Sequence, residues 1–223
     1  GTKYRGPLTF FLSIIFKRYG DFINFQCEYT SRIFRNSKSI FRAGKAGIIP
    51  LGLSVEEDIA VNDTKLVSML DSNKKISIVY LANFHKHKRH MDLITFMKDS
   101  LQKNQDLNLI LLGEGAYFDK CKELTKRMNL TNQIHFPGRV HRKHIPYILR
   151  RADLSIVFSE VETFGHNILE PLFYGTPVVS SNVGIAANVI KDYRNGILLN
   201  STSKEEFIFK VQPFLSKKNL SLN

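Results

Sequence analysis

The residues best able to do chemistry together lie in LSIVFSEVETFGHNILEPLFYGTPVVSS (154–181), where seven residues separate Glu162 from Glu170. The apolar run ending near Ser159 reads as a buried strand. A short acidic loop follows, and a helix opens near Gly165 and closes at Gly175, a natural C′ glycine. Phe164, Gly165 and His166 then form the helix N-terminus, where free N–H groups and the positive end of the dipole favour a phosphate. Glu162 precedes the helix and Glu170 lies over a turn inside it, which puts two carboxylates at different depths of one crevice. Carboxylates accept hydrogen bonds from hydroxyls, so the pair can grip a sugar or ribose while the helix amides hold the phosphate. On spacing alone a plainer alternative stays open: Glu162 charges the helix start and Glu170 sits on a solvated face.

Other groupings carry less. His85, His87 and His90 fall in His-Lys-His-Lys-Arg-His (85–90), where alternating cations and no neighbouring carboxylate or thiolate argue against a metal site. Every member of the run except Lys88 reads by default as part of a solvated loop, and aromatics do not interleave with it as a nucleic-acid platform requires. Gly113-Glu114-Gly115 lacks the third glycine of a dinucleotide fingerprint, so no nicotinamide cofactor is expected. Cys27 and Cys121 are the only cysteines and share no Cys-x-x-Cys spacing, which excludes a disulfide framework and fits a reducing cytoplasm.

The elements that must position these residues alternate regularly from about residue 75. ISIVYLA (76–82), LNLILLG (107–113), QIHFPG (133–138), LSIVFS (154–159) and TPVVSS (176–181) read as strands. Most are apolar on both faces, the mark of a parallel sheet covered by helices. HMDLITFMKDSLQ, YFDKCKELTKRMN, HRKHIPYILRR and HNILEPLFY have helical spacing between them, giving repeated βαβ units and an α/β, doubly wound, Rossmann-like domain. Such sheets bind ligands at the carboxyl ends of their strands, where Glu162 falls.

Before this region the chain is different. PLTFFLSIIF (7–16) has amphipathic helical spacing but is about half the roughly 20 residues a bilayer span needs. It reads as a helix packed on a sheet or lying on a membrane surface. AGKAGIIPLGLSVEED (43–58) has the Gly and Pro density of a connector. The net charge is +12, and the first fifty residues, with nine basic and two acidic side chains, carry +7 of it. An anionic partner is implied mainly for that leading segment.

Glu162-Thr-Phe-Gly-His-Asn-Ile-Leu-Glu170, followed by Gly175-Thr-Pro177-Val-Val, resembles the E-x-F-G-x-x-x-x-E motif and G-x-P-V-V strand of retaining family-4 glycosyltransferases of the GT-B fold. IIPLGL (48–53), LILLGEG (109–115), IHFPGRV (134–140), RADLSIVFS (151–159), and NVGIAANVI (182–190) with RNGILLN (194–200) are similar to further family segments, in the family's order. The resemblance implies that Glu170 hydrogen-bonds the ribose of a nucleotide diphosphate sugar and that Glu162 contacts sugar hydroxyls near the reacting centre. It identifies Lys88, in Lys88-x-His90-x-x-Leu93-Ile94, as the cation facing the donor diphosphate, with no metal and no cofactor required. Where the family often carries arginine, five residues before that lysine, this sequence has Asn83, an amide without charge. Backbone groups around Gly138 and Arg139 would meet the nucleobase, and Phe164, Gly165 and His166 the phosphates. Pro171 replaces a small helix former and is expected to kink the helix just after Glu170.

The same resemblance implies an architecture. Residues 1–48 would be the end of an acceptor domain, 49–74 the interdomain crossover, and 75–223 the C-terminal nucleotide-sugar domain. Gly1-Thr2-Lys3 is similar to the end of a family H-G-T stretch, so the chain is expected to be a fragment. The implied function is transfer of a sugar, with retention, to a glycan or lipid-linked acceptor in cell-surface polysaccharide or lipopolysaccharide synthesis. The enzyme would be cytoplasmic or peripheral at the inner face of an anionic membrane, with no nucleic-acid partner. The competing functions are a non-catalytic nucleotide-sugar module and a GT-B-like sugar-nucleotide epimerase.

Overall fold

Runs of Ile, Val and Leu without a polar face are stable as strands only when helices cover both sides, and such runs form the centre of this protein's six-stranded parallel sheet. The structure is a computed structural model that describes residues 23–36, 46–53, 64–70 and 76–215. The chain divides into two compact units, Gly1–Gly52 and Leu53–Asn223. The apolar 7–16 stretch, Gly1-Thr2-Lys3 and the final residues lie outside the described ones.

In the first unit β1 (Ile23–Phe25) pairs in parallel with β2 (Ala46–Ile48). Parallel neighbours need a crossover, and α1 (Glu28–Asn36) lies between them in sequence. The turn into α1 is fixed by Thr30, whose hydroxyl donates to the Cys27 carbonyl at 2.9 Å.

In the second unit β3 (Ile76–Leu81), β4 (Leu107–Leu112), β5 (Ile134–Gly138), β6 (Leu154–Val157), β7 (Val178–Ser181) and β8 (Gly196–Leu199) form one sheet in the order β5-β4-β3-β6-β7-β8. All five pairings are parallel. Each strand read from the sequence is present. The sixth, β8, had been read only as a family segment, because four residues between Asn195 and Asn200 are too few to display a period.

Helices cover both faces. On one, α3 (His90–Lys103) buries Leu93, Ile94, Met97 and Leu101, the i, i+1, i+4, i+8 stripe of an amphipathic helix. On the other, Val79 and Ile110 of the sheet meet Leu66 and Leu70 of α2 (Thr64–Leu70), together with Ile148 and Leu149 of α5 (Ile145–Arg151). The segment read as a crossover thus contains a helix that packs into the second unit's core. α4 (Phe118–Arg127), α6 (His166–Phe173), α7 (Ala186–Val189), α8 (Lys204–Lys210) and α9 (Gln212–Leu215) complete the described helices. Full burial of each large apolar side chain is worth roughly 1.5–3 kcal/mol, and Ile78, Leu93, Ile94, Met97, Leu109 and Ile110 are all fully buried.

One close approach is specific. A Cβ on Gly196 would strike the backbone carbonyl of Val178, its partner across β7 and β8. Gly196→Ala is therefore expected to destabilise the chain by about 1–3 kcal/mol and to lower Tm by roughly 3–10 °C. Circular dichroism melts check this, and an unchanged Tm would show that the sheet edge yields freely.

Candidate functional site

The strand order reverses direction at β3 and β6. From β3 the chain builds outward through β4 and β5, and then returns to lay β6, β7 and β8 on the other side. The loops leaving the carboxyl ends of these two central strands must diverge, which opens a crevice. The loops are residues 82–89 and 158–165, and they carry Lys88 and Glu162.

The first loop tightens into a 3₁₀ turn at Lys86–Lys88 and passes through Arg89 before α3 begins. Arg89 has φ +52°, a left-handed conformation that a side chain adopts at a cost. Its guanidinium holds it there. Nε donates to Asp92 Oδ2 at 2.7 Å, Nη1 donates to the Thr202 carbonyl at 2.9 Å and to the Thr202 hydroxyl, and the cation lies over the Phe158 ring. The second loop is stitched to the first by the Glu160 N–H, which donates to the His87 carbonyl at 2.8 Å.

Between these loops Lys88 Nζ donates to Glu162 Oε1 at 2.6 Å, and the two side chains are only 14% and 11% exposed. The Ser159 hydroxyl and the Asn167 amide donate to the same oxygen at 2.9 and 3.1 Å. The Tyr80 hydroxyl lies 3.0 Å from Ser159 Oγ and donates to the Lys88 carbonyl at 3.0 Å. Burial, and to a lesser degree the Glu162 charge, push the Tyr80 phenol well above its ordinary range, so it stays protonated. The structure therefore joins Lys88 to Glu162, residues 74 apart in the chain. The sequence reading gave Ser159, Tyr80 and Asn167 no role in the site. A serine at a strand end or a tyrosine in an apolar run reads as core.

Glu170 belongs to a different grouping. Its Oε1 lies 3.4 Å from Arg142 Nη2, in the turn that follows β5. Arg142 is more than half exposed, so this pair contributes little to stability. Gly138, with φ +83°, ends β5 and joins β4 through its carbonyl, which accepts from the Gly113 N–H at 2.9 Å. Arg139 follows, exposed. Helix α6 connects the two groupings: Asn167 in its first turn reaches Glu162, and Glu170, three residues on, lies beside Arg142. Gly165 caps the helix with φ +102° and without a side-chain cap, so no Ser or Asp oxygen occupies the positive end.

The structure adds detail at four of the predicted positions. Phe164 is buried at 1% exposure, and its carbonyl accepts from the Ile185 N–H at 2.7 Å. Its buried ring meets the half-buried His166 ring edge-on at 5.2 Å, so what this turn can offer a phosphate is its backbone. Asn83 is exposed and turns its carbonyl onto the His85 N–H at 2.8 Å. Pro171 sits inside the helix, which continues to Phe173 and is closed by Gly175 at φ +85°. The basic run is not a solvated loop throughout. His90 opens α3 and is buried, its ring stacked 4.6 Å from Tyr80 and 4.0 Å from Phe84. Burial, with the charges of Lys88 and His85 behind it, pushes the His90 pKa down to about 3. Among the described residues no three His, Cys, Asp or Glu side chains gather to hold a metal ion, and no helix is long and apolar enough to cross a membrane.

Comparison with known proteins places this geometry. The model of the family glycosyl transferases group 1 matches residues 63–223. The chain is 29% identical over 130 residues to the N-acetyl-alpha-D-glucosaminyl L-malate synthase of Bacillus anthracis, covering 58% of this chain and 33% of that protein. The fold is shared with Anabaena HepE, solved in complex with UDP and glucose, at TM-score 0.80 and 19% identity over 99% of this chain and 61% of that one. It is also shared with the C-terminal domain of the group 1 glycosyl transferase LpcC from Francisella tularensis, at TM-score 0.61 and 24% identity over 75% of this chain and 90% of that one. The chain thus spans a third of the curated relative and under two thirds of the HepE chain.

Proposed function

We propose, from the premise that this chain belongs to the glycosyl transferases group 1 family, that it forms the donor-binding part of an enzyme moving a sugar from a nucleotide diphosphate to a glycan or lipid-linked acceptor. The observation that carries this reading is the meeting of Lys88 and Glu162 at the point where the sheet reverses, with the uncapped start of α6 beside them. A cation and backbone N–H groups suit a diphosphate, and a carboxylate suits sugar hydroxyls.

In this reading the bond between the anomeric carbon and the diphosphate oxygen lengthens while charge builds on the leaving diphosphate. Lys88 and the first-turn amides of α6 stabilise that charge without a metal or other cofactor. The acceptor hydroxyl approaches on the face the diphosphate vacates, forms the new glycosidic bond with retained configuration, and gives its proton to a diphosphate oxygen. Glu162 holds the sugar, Glu170 the ribose, and the backbone at Gly138 and Arg139 the base. The second unit is the donor half of a GT-B pair and the first unit the end of its acceptor half. The basic leading segment faces an anionic membrane at the cytoplasmic side, in the synthesis of a surface polysaccharide or lipopolysaccharide.

Calorimetry with UDP, GDP and their sugars tests the donor assignment, and the expected outcome is saturable binding of one nucleotide family in the micromolar to millimolar range. Binding of neither would remove the reading. NMR of the anomeric proton in the product, with the acceptor-binding half present, tests retention. Binding without any product would favour the non-catalytic module instead.

A further inference from the structure

The ion pair between Lys88 and Glu162 is one edge of a closed hydrogen-bonded ring. From Glu162 Oε1 the ring passes to Ser159 Oγ, to the Tyr80 hydroxyl, to the Lys88 carbonyl and back through the Lys88 side chain. Ser159 is fully buried, and its own carbonyl accepts from the Ser181 hydroxyl at 2.6 Å, so its position is set by β7 as well as β6. Two hydroxyl protons serve the three contacts that Tyr80 and Ser159 make. The charged carboxylate draws the Ser159 proton, and the Tyr80 proton is shared between the Lys88 carbonyl and the serine oxygen.

The distribution over Glu162 is asymmetric. The Lys88 ammonium, the Ser159 hydroxyl and the Asn167 amide all donate to Oε1. None of the three reaches Oε2. An oxygen with three donors is full, whereas its twin has lone pairs to offer a hydroxyl.

We propose that Ser159, backed by Tyr80 and Asn167, is a positioning residue that commits Oε1 of Glu162 to the protein and reserves Oε2 for a hydroxyl of the donor sugar. Ser159 thereby sets how much more tightly a nucleotide sugar binds than its bare nucleotide. The inference rests on the donor-site reading above and adds to it the part of the ligand that this network senses.

The test compares UDP with UDP-glucose, and GDP with GDP-mannose, by calorimetry on the 223-residue chain and its variants. Ser159→Ala is expected to cut the gain from the sugar about tenfold, the worth of a hydrogen bond to a charged group, with affinity for the bare nucleotide unchanged. Tyr80→Phe, which leaves Ser159 able to donate, is expected to cut it about threefold, and Ser159→Thr to restore it. An unchanged gain in Ser159→Ala, or a parallel loss for the bare nucleotide, would overturn the inference while leaving the donor site standing. Failure of the unmodified chain to bind either nucleotide would overturn the donor-site reading and this inference with it.

Discussion

Replacing Lys88 by alanine is expected to lower turnover by roughly 10²–10³-fold, the usual effect of removing one group that stabilises charge in the transition state. An ammonium has three donors. One is engaged by Glu162 at 2.6 Å, which under the proposed assignment leaves two for a leaving diphosphate while the ion pair stays formed. Lys88→Arg keeps the charge but replaces a compact cation by a planar fork, and partial activity is expected. The alanine variant also strands a carboxylate that is 11% exposed. Ser159 and Asn167 still donate to it, so the loss of stability is expected to be about 1–3 kcal/mol rather than that of an orphaned charge. The double variant Lys88→Met with Glu162→Gln separates the two effects: it is expected to recover stability and not turnover. Turnover of Lys88→Ala within about threefold of the unmodified enzyme would remove Lys88 from the chemistry.

Acid is expected to destabilise the second unit through His90. The ring is 2% exposed between Tyr80 and Phe84, and its pKa falls from the ordinary 6.5 to about 3. A pKa lower in the folded chain means that, between those values, the unfolded chain binds a proton the folded chain refuses. Stability is therefore complete above about pH 6.5 and is lost as pH falls towards 3, by about 2 kcal/mol at pH 5 from this group alone. Urea unfolding at pH 7.5, 6 and 5 measures the slope. His90→Phe keeps the stack and removes the titration, so its curve is expected to be flatter. It also removes two nitrogens that have no hydrogen-bond partner among the described residues, and at neutral pH it is expected to be neutral or slightly stabilising. Parallel curves for the two proteins would assign the acid sensitivity elsewhere. Glu206 contributes only below that range: its side chain is 17% exposed, and hydrogen bonds from Asn200 and Ser201 outweigh its burial and hold its pKa below the usual carboxylate value, so its stabilisation is lost only as pH falls below about 4.5.

What could be read along the chain and what could not divide on physical lines. β3, β4 and β6 were legible because a strand buried on both faces has no polar alternation to confuse it. α2 was missed because seven residues, Thr64–Leu70, show a stripe only as Leu66 and Leu70, which need the sheet opposite them to make sense. In the site, Glu162 was legible from residue types and spacing and Lys88 only through the family resemblance, and the structure joined them. Ser159 and Tyr80 were not, since 79 residues separate them and only the parallel pairing of β3 with β6 brings their hydroxyls to 3.0 Å. His90 was misread because a histidine among cations looks solvated until α3 is seen to turn it inward.

Helix α6 carries Asn167 towards Glu162 and Glu170 towards Arg142 on one rigid rod. On a helix those two positions are about 4.5 Å apart along the axis, a span that no side-chain rearrangement alters. Under the proposed assignment α6 is a ruler laid along the donor: one end reads the sugar and the other the ribose, so the bridge between them is selected by length. A sugar joined to its nucleoside by a single phosphate would engage one end only.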